Sequence, residues 1–311
     1  IFTRNQNFLI HANMKRVKQS LLLTALILTT SCEKVVLDET LSGDDNGVNT
    51  PTSNITIHIS GVGNADYEEN PAKTTRAMQP IEELCTRINL ALYQNGERAY
   101  YVNQKSTDSD FGNFNLNVPT GIYTLMVLAH SGESSATTTN LRKITFNGKI
   151  TDTFHYADSL FEVHETNSPV EITLERVVGM FRLDITDTIP TEVARLKFYY
   201  TGGSSTLDGL TGIGCVDSRQ TEYRNVAPDV HLYDVYTFPH APKKPITMTI
   251  TAQDANESTI AERKFVDVGI SKNKITRYQG NFFNSTTTPS KDFNISMTAD
   301  PDWLEETTVS F

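Results

Sequence analysis

The sequence has 311 residues, a formal net charge of −10 at pH 7 and 3 cysteines. Its acidity argues against nucleic-acid binding, because phosphate recognition relies on clustered Lys and Arg. With so few cysteines, the fold does not depend on a disulfide framework. Two domains are the natural division of a chain of this length.

The N-terminal region has the layout of a secretory signal. Residues 1–13 match neither a signal nor a core element, and we interpret them as a non-native upstream extension. From Met14 the chain has a basic start, an apolar run over residues 20–30 and a small residue before Cys32. The apolar run is about half the roughly 20 residues that a membrane-spanning helix needs. Residues 14–31 are therefore predicted to be a signal peptide.

Cys32 follows the apolar run in an arrangement that resembles the lipobox of bacterial lipoproteins, in which this thiol is diacylated and becomes the new N-terminus. Several acyl chains, at about 0.8 kcal/mol per buried CH₂, would attach the protein firmly to a membrane. An ordinary signal peptide followed by an unrelated cysteine is the alternative. Loss of residues 1–31 would remove four basic residues and no acidic one, which changes the net charge from −10 to −14.

Residues 32–52 contain little that can be buried and are predicted to be an acidic, flexible spacer. Two cysteines remain after Cys32, namely Cys85 and Cys215. A disulfide between them is possible in an oxidising envelope, but we favour two unpaired, buried thiols.

Beyond the spacer, apolar and polar residues alternate with a period of two, which is typical of strands with one buried face. The first set of predicted strands covers residues 54–60, 87–93, 98–102, 113–118, 122–129 and 170–174. Asn95-Gly96 and Pro119–Gly121 are predicted to be turns. Ile81–Leu84 is predicted to be a short helix.

A second set of strands begins at Arg176, with no proline-rich break before it, so the junction between the sets is predicted to be tight. The set covers residues 176–186, 195–200, 230–238, 246–252, 260–266 and 275–283. The sequence thus predicts an all-β fold of antiparallel β-sandwiches, one over residues 53–176 and one over residues 177–311. The tail from Ser285 is either a final strand or a docking segment, with Trp303 packed into the second sandwich by default.

The common zinc, serine-hydrolase and redox motifs are absent from the sequence. His155, His164 and Glu165 are candidate metal ligands, but they fall in a segment that we interpret as a loop, so solvated side chains are favoured. The Gly-rich segment 202–214 is favoured as a long hairpin or connecting loop over a phosphate cradle, since no Lys-Ser/Thr follows it.

A surface hydrolase would need a convergent acid and base. Candidate carboxylates are Asp152, Asp158, Glu162 and Glu165, but nothing in the sequence places two of them together. A charged, solvated face is the favoured interpretation. We therefore expect no catalytic residue, no cofactor and no small-molecule substrate.

Several features together resemble the FimB/Mfa2 family of Bacteroidales fimbrial subunits. They are Cys32, Thr74–Arg76, Arg87–Tyr93, Val118–Tyr123 and Arg176–Thr186. The likeness covers nearly the whole mature chain. It implies two tandem transthyretin-like β-sandwiches, a surface-exposed lipoprotein of the outer membrane, and a role without enzymatic activity in anchoring fimbriae and controlling their length. The implied partners are fimbrial stalk subunits, bound through β-strand contacts in which main-chain hydrogen bonds supply affinity.

The bond between Arg76 and Ala77 is a candidate processing site, because stalk subunits of fimbriae that this chain resembles are cut after an Arg in this region. A cut here would separate the rest of the chain covalently from a lipid on Cys32. We therefore predict that Arg76 is not processed in a base subunit, although an ordinary exposed Arg fits the sequence equally well.

Two other roles stay open. One is a stalk or tip subunit of a fimbria. The other is a glycan-binding surface lipoprotein, whose sites usually present aromatic platforms for sugar stacking. Trp303 is the only tryptophan, and most Tyr and Phe residues fall in strand patterns that core packing explains.

Overall fold

The computed structural model describes residues 51–63, 79–240, 244–284 and 307–310. Cys32, Arg76, Ala77 and Trp303 lie outside the described residues, as do the predicted signal peptide and nearly all of the predicted spacer. The predicted all-β fold is confirmed, since the described ranges consist mainly of strands and contain only one short helix. No helix within them has the length and apolar composition of a membrane span.

The first half of the described chain contains eight strands and the helix. They are β1 (Thr52–Gly63), α1 (Ile81–Leu84), β2 (Arg87–Gln94), β3 (Glu97–Lys105), β4 (Asn113–Pro119), β5 (Gly121–His130), β6 (Ile144–Thr145), β7 (Thr153–Val163) and β8 (Val170–Arg176). Seven strands form one sheet in the order β3-β2-β5-β7-β8-β1-β4. Because β7 and β8 pair only at one end and side chains from both sides of this junction share one core, the sheet folds over itself as a sandwich.

The predicted helix and the first predicted turn are both confirmed. Helix α1 has the predicted bounds, Ile81–Leu84. Between β2 and β3, Asn95 has φ 54° and Gly96 has φ 86°. Positive φ at both central residues is the requirement of a type I′ turn, which matches the right-handed twist of the flanking strands.

The second half of the described chain contains ten strands. They are β9 (Gly179–Ile185), β10 (Arg195–Thr201), β11 (Thr206–Asp208), β12 (Ile213–Gly214), β13 (Arg219–Asn225), β14 (Leu232–Thr237), β15 (Ile246–Gln253), β16 (Thr259–Val268), β17 (Ile275–Gly280) and β18 (Thr307–Ser310). Sheets β13-β10-β15-β16 and β14-β9-β17-β18 pack across a second core that includes Phe181, Phe198 and Ile250. The end of the tail, left open between strand and docking segment, is thus a strand at residues 307–310.

The strand ladders are mostly antiparallel, but three of them are parallel. These are β1 with β8, β9 with β17, and β17 with β18. Each parallel pair joins strands that are far apart in sequence or separated by a long connection, as a parallel crossover requires. Apolar alternation is the same in both kinds of ladder, so the sequence pattern did not reveal the direction of pairing.

The segment around His155 was interpreted as a loop, and this interpretation is wrong. Residues Thr153–Val163 form β7, which pairs with β5. Between the pairs Tyr123↔Phe161 and Leu125↔Asp158, β7 has one extra residue, which is a β-bulge. The bulge lets Phe154 and Phe161 share one core although they are an odd number of residues apart. It therefore breaks the alternation by which strands are recognised.

Strand β13 was also missed by the sequence prediction. It is a terminal strand of its sheet, and its sequence is polar throughout apart from one exposed Tyr. Its buried position is Glu222, which pairs with Arg224 (2.7 Å) and accepts a hydrogen bond from the Tyr200 hydroxyl (3.2 Å). Because the inward side chain is a paired acid, the strand shows no apolar alternation.

The Gly-rich segment 202–214 forms two short strands, β11 and β12, which pair with each other. Strand β11 also pairs with β6. A Cβ atom on Gly214 would lie 2.5 Å from the Cβ atom of Ser204, and one on Gly203 would lie 2.6 Å from Thr237 Oγ1. At these two positions, glycine permits close packing of the backbone against neighbouring residues.

The junction between the two strand sets is short and buried. Only Val177 and Val178 separate β8 from β9, and both belong to a third apolar cluster with Met126, Leu128 and Phe238. This cluster joins the outer face of β2 and β5 to residues of the second strand set. The domain boundary at residue 176 stays a prediction, since this apolar core spans it.

A buried arginine reinforces the junction. Arg176 makes a bidentate ion pair with Asp152 (2.7 and 2.8 Å) and donates a hydrogen bond to Asn273 Oδ1 (2.9 Å). Its guanidinium also lies 4.8 Å from the ring centroid of Phe154. Because a buried charge is costly unless it is fully paired, these contacts connect β8 to the segment before β7 and to the turn before β17.

The two described cysteines are both free, as expected. Cys85 is buried, as predicted. Cys215 is exposed, so the prediction of a buried thiol is wrong at this position. Burial raises the pKa of the Cys85 thiol well above its ordinary value, which keeps this group protonated.

We predict that Ile57→Ala lowers the free energy of unfolding by about 2–5 kcal/mol, because Ile57 is completely buried and the truncation leaves a cavity. The matched control is Ile122→Ala, whose side chain is exposed and whose loss should change stability by less than about 0.5 kcal/mol. Urea unfolding followed by circular dichroism measures both variants. Equal effects of the two substitutions would contradict the placement of β1 in the core.

We predict that acidification destabilises the protein through His130. This ring accepts a hydrogen bond from the Gly132 amide (3.0 Å) and contacts Asn89 Oδ1 (3.1 Å), and burial lowers its pKa to about 4. The unfolded chain therefore takes up a proton near pH 6.5, before the folded chain does. Stability from this group is complete above pH 6.5 and falls, by at most about 3 kcal/mol, as the pH drops to 4.

The measurement is urea unfolding of the parent and of His130→Gln at pH 7, 5.5 and 4. The variant should be less stable at pH 7 and should lose less stability on acidification. Identical pH slopes for the two proteins would show that His130 is not the titrating group.

Candidate functional site

Strand β1 is the first strand of the described chain and lies inside the sheet, between β4 and β8. Ile55, Ile57 and Ile59 point into the first core, as their alternation predicted. A bulge then shifts the register with β8 from Ile59↔Ile172 to Gly61↔Thr173. The shift turns Val62 inward as well, so β1 contributes four buried aliphatic side chains to the core.

The other face of β1 forms a polar ladder with β4. It consists of three side-chain pairs: Asn54 with Asn117 (2.8 Å), Thr56 with Asn115 (2.9 Å) and His58 with Asn113 (2.7 Å). A slip of one residue would turn the isoleucines to solvent and break all three pairs. Apolar and polar faces therefore specify one register for β1.

The start of β1 is held by the connection between β7 and β8. Ser53 Oγ donates a hydrogen bond to the Glu165 carbonyl (2.9 Å). Asn167 Nδ2 in turn donates to Ser53 Oγ (2.9 Å) and to the Asn54 carbonyl (3.3 Å). These contacts fix the point at which the chain enters the sheet.

The end of β1 lies next to the point where the described chain resumes. The Val62 amide donates a hydrogen bond to the Gln79 carbonyl (3.1 Å), so the residues flanking segment 64–78 are directly paired. Arg76 and Ala77 belong to this segment, outside the described residues. A cut between them would leave β1 attached to the rest of the fold by non-covalent contacts alone.

The structure does not bring the candidate metal ligands together. His155 lies near the start of β7, is buried, and has Nε2 2.7 Å from the Gly209 carbonyl. His164 and Glu165 follow the other end of β7, where His164 lies 3.3 Å from Glu162. No group of three potential ligands with metal-binding geometry occurs in the described ranges.

Three of the four candidate carboxylates of a hydrolase have separate partners, and the fourth, Glu165, follows the end of β7. Asp152 is paired with Arg176, and Glu162 lies beside His164. Asp158 accepts a hydrogen bond from the Leu160 amide at 2.9 Å. These contacts are those of structural and surface carboxylates.

The terminal strands of the larger sheets are the other candidate contact points. In the described part of the chain these are β3, β4, β13, β16, β14 and β18. In β14, the carbonyls of Asp234 and Tyr236 already accept hydrogen bonds from the side chains of Arg224 and Tyr200. A terminal strand presents unpaired main-chain groups on one side, to which a strand of another chain can add. Sequence reasoning predicted strand-mediated contacts but not the strands that end each sheet, since sheet order depends on long-range pairing.

We predict that a chain beginning at Ala77 does not form a stable first sandwich. Each buried aliphatic side chain contributes about 1.5–3 kcal/mol, so the loss of β1 is comparable to the whole stability of a domain, about 5–15 kcal/mol. A synthetic peptide of residues 51–63 should restore cooperative thermal unfolding. The control peptide carries Ile55→Asn and Ile57→Asn and should not restore it. A truncated chain that unfolds like the full one would show that β1 is dispensable.

Comparisons with known proteins support one family assignment. A family model described as "Family of unknown function (DUF6562)" matches residues 46–310. No match is found among curated proteins.

The chain also has distant structural neighbours. They include a candidate cell adhesion protein from Bacteroides eggerthii (13% identity, 85% of this chain and 97% of that chain, TM-score 0.47), the fimbrial anchor protein Mfa2 from Porphyromonas gingivalis (12%, 70% and 83%, 0.38) and the tip fimbrial protein Mfa3 from Porphyromonas gingivalis with C-terminal truncation (7%, 82% and 99%, 0.40). These TM-scores are below 0.5, so the structural neighbours do not assign a function to this protein. Membership of the FimB/Mfa2 family stays a prediction. The match of the family model over most of the chain shows that the protein belongs to the DUF6562 family, a family of unknown function.

Proposed function

We propose that this protein is a cell-surface lipoprotein that anchors fimbriae to the outer membrane and influences their assembly and length through β-strand contacts between subunits. The observation that carries the proposal is the position of β1. It is the first described strand after the predicted lipid site at Cys32, and it is paired on both sides, with β4 and β8. The anchor would thus continue directly into the core of the fold.

This arrangement suits a chain under tension. A pull between a filament and a lipid on Cys32 would act along β1, so the hydrogen bonds of both ladders would resist it together. The isoleucine side chains add burial, since sliding β1 along its axis would expose them. The predicted spacer over residues 32–52 would allow the fold to stand at most roughly 70 Å from the membrane when fully extended.

Whether the chain is cleaved after Arg76 distinguishes the anchoring role from the stalk and tip roles. In an uncut chain, β1 links the lipid to the fold covalently. After a cut at Arg76, the link would depend on the ladders of β1, and a departing β1 would open a slot between β4 and β8 for a strand of another subunit. An uncut bond therefore fits a base subunit, and a cut bond fits a stalk or tip subunit.

The proposed partners are fimbrial stalk subunits, bound by strand addition at a terminal strand of one of the sheets. Such binding needs no catalytic group, cofactor or small-molecule substrate. The separate pairing of Asp152, Asp158 and Glu162 supports this non-enzymatic role. A glycan-binding surface lipoprotein remains the second candidate function, because two tyrosine side chains are exposed on one sheet of the second half.

We predict that Cys32→Ala releases the protein, together with fimbriae, into the medium, because the lipid anchor is lost. The matched control is Cys215→Ala, which removes an exposed free thiol and should leave the protein on the cells. Cell fractionation and electron microscopy measure the two outcomes. Release of the protein with fimbriae still attached to the cells would support lipid attachment at Cys32 and refute the anchoring role.

We predict that N-terminal analysis of the cell-bound protein shows no mature terminus at Ala77. Mass spectrometry should find the peptide that spans Arg76 and Ala77 intact. A terminus at Ala77 on cell-bound protein would favour a stalk or tip subunit over the anchor.

A further inference from the structure

The outer face of sheet β13-β10-β15-β16 carries two exposed aromatic rings. Tyr199 on β10 has 37% and Tyr223 on β13 has 48% of its surface exposed, whereas the neighbouring Tyr200 is buried in the second core. Tyr199 lies opposite Thr221, and Tyr223 lies two residues further along the same strand. Tyr199 and Tyr223 are therefore diagonal neighbours on the same face of the sheet, with Cα atoms about 7–8 Å apart.

Cations surround this pair on the same face. Lys197 lies directly opposite Tyr223, and Lys264 lies in the same row as Tyr199, with Thr249 between them. Arg219 occupies the next row, opposite Thr201. Lys197, Lys264 and Arg219 form no ion pair with any described residue. Since the whole chain has a net charge of −10, a face with unpaired cations stands out from its surroundings.

Two acidic residues of this face have partners of their own. Glu262 accepts a hydrogen bond from Thr251 Oγ1 (2.9 Å), and Glu257 is paired with Arg195 (2.9 Å). Arg195 and Glu257 therefore neutralise each other. In the two rows that contain the tyrosines, this leaves Lys197 and Lys264 against Glu262. The excess charge is positive, and it lies around the two tyrosines.

Arg195 also holds one of the rings in place. Its Nε donates a hydrogen bond to Gln253 Oε1 (3.0 Å), and its guanidinium lies 4.6 Å from the ring centroid of Tyr223. This stacking covers one side of the ring and leaves its exposed remainder at a fixed position. A preorganised ring loses little conformational freedom when a ligand binds.

We infer that this face binds an acidic oligosaccharide, one that bears carboxylate or sulfate groups. The electron-rich faces of Tyr199 and Tyr223 attract the C–H groups of sugar rings. Lys197 and Lys264 supply the charge that a carboxylate or sulfate group requires. Thr221 and Thr249, between and beside the rings, supply hydroxyl groups that hydrogen-bond to sugar hydroxyls.

The chemistry of the face favours this ligand over a protein partner. Protein interfaces have a desolvated apolar centre, whereas the two tyrosines are surrounded by threonines and cations. The inference rests on the second candidate function, glycan binding, and gives its ligand class. It does not depend on the anchoring role, because the face is formed by sheet β13-β10-β15-β16, which does not include β1.

The test uses the purified full chain and three probes: tetragalacturonate, a chondroitin sulfate hexasaccharide and neutral maltotetraose. Isothermal titration calorimetry should show binding of at least one acidic probe, weakened by added salt, and no comparable binding of maltotetraose. Tyr199→Ala and Tyr223→Ala should each lower the affinity by about 2- to 10-fold. Lys197→Glu should abolish binding, because it reverses the charge beside Tyr223.

Two exposed residues elsewhere provide matched controls. Leu160→Ala removes an exposed apolar side chain and Lys149→Gln removes an exposed cation, and both should leave binding unchanged. Thermal unfolding of every variant establishes that the fold is retained, and Tyr223→Leu replaces Tyr223→Ala if the latter unfolds. Three results would each overturn the inference. They are the absence of binding at millimolar concentrations of both acidic probes, equal binding of maltotetraose, and an affinity that the tyrosine and lysine substitutions do not change.

Discussion

The burial of β1 between β4 and β8 is the constraint on which the first half of the protein depends. Its isoleucines fill the core from one face, while its polar ladder with β4 fixes the register from the other. A strand held on both sides cannot be removed without opening the core, because its neighbours lose main-chain hydrogen bonds as well as apolar contacts. Any group attached to the chain ahead of β1 is therefore connected directly to the core of the first half.

The two halves of the described chain are connected by packing as well as by the backbone. Val177 and Val178 lie in an apolar cluster that includes Met126 and Phe238, and Arg176 pairs with Asp152 and Asn273 across the same junction. A junction of this kind resists bending, because movement would expose apolar surface and separate a buried charge from its partners. If the protein is an anchor as proposed, a load that enters at β1 would reach the second half through these contacts as well as through the backbone.

The proposed anchoring role and the inferred oligosaccharide face use different parts of the fold. Anchoring depends on a strand whose side chains are buried or paired. The face around Tyr199 and Tyr223 is formed by side chains that point away from the second core. Substitutions can therefore separate the two proposed functions, because β1 and the two tyrosines belong to different sheets.

The sequence by itself determined the all-β class, the Asn95-Gly96 turn, helix α1 and the inward isoleucines of β1, because these features depend on residues close together in the chain. Only the tertiary structure decided which strands are neighbours, which ladders are parallel, and that β7 and β13 are strands. A bulge in β7 shifts its alternation, and the inward acid of β13 is acceptable only because Arg224 and Tyr200 meet it. The exposed pair of tyrosines likewise depends on the register of β10 with β13, which brings together residues from separate segments. Local patterns are encoded in neighbouring residues, whereas pairing and burial of distant segments are settled by the free energy of the whole fold.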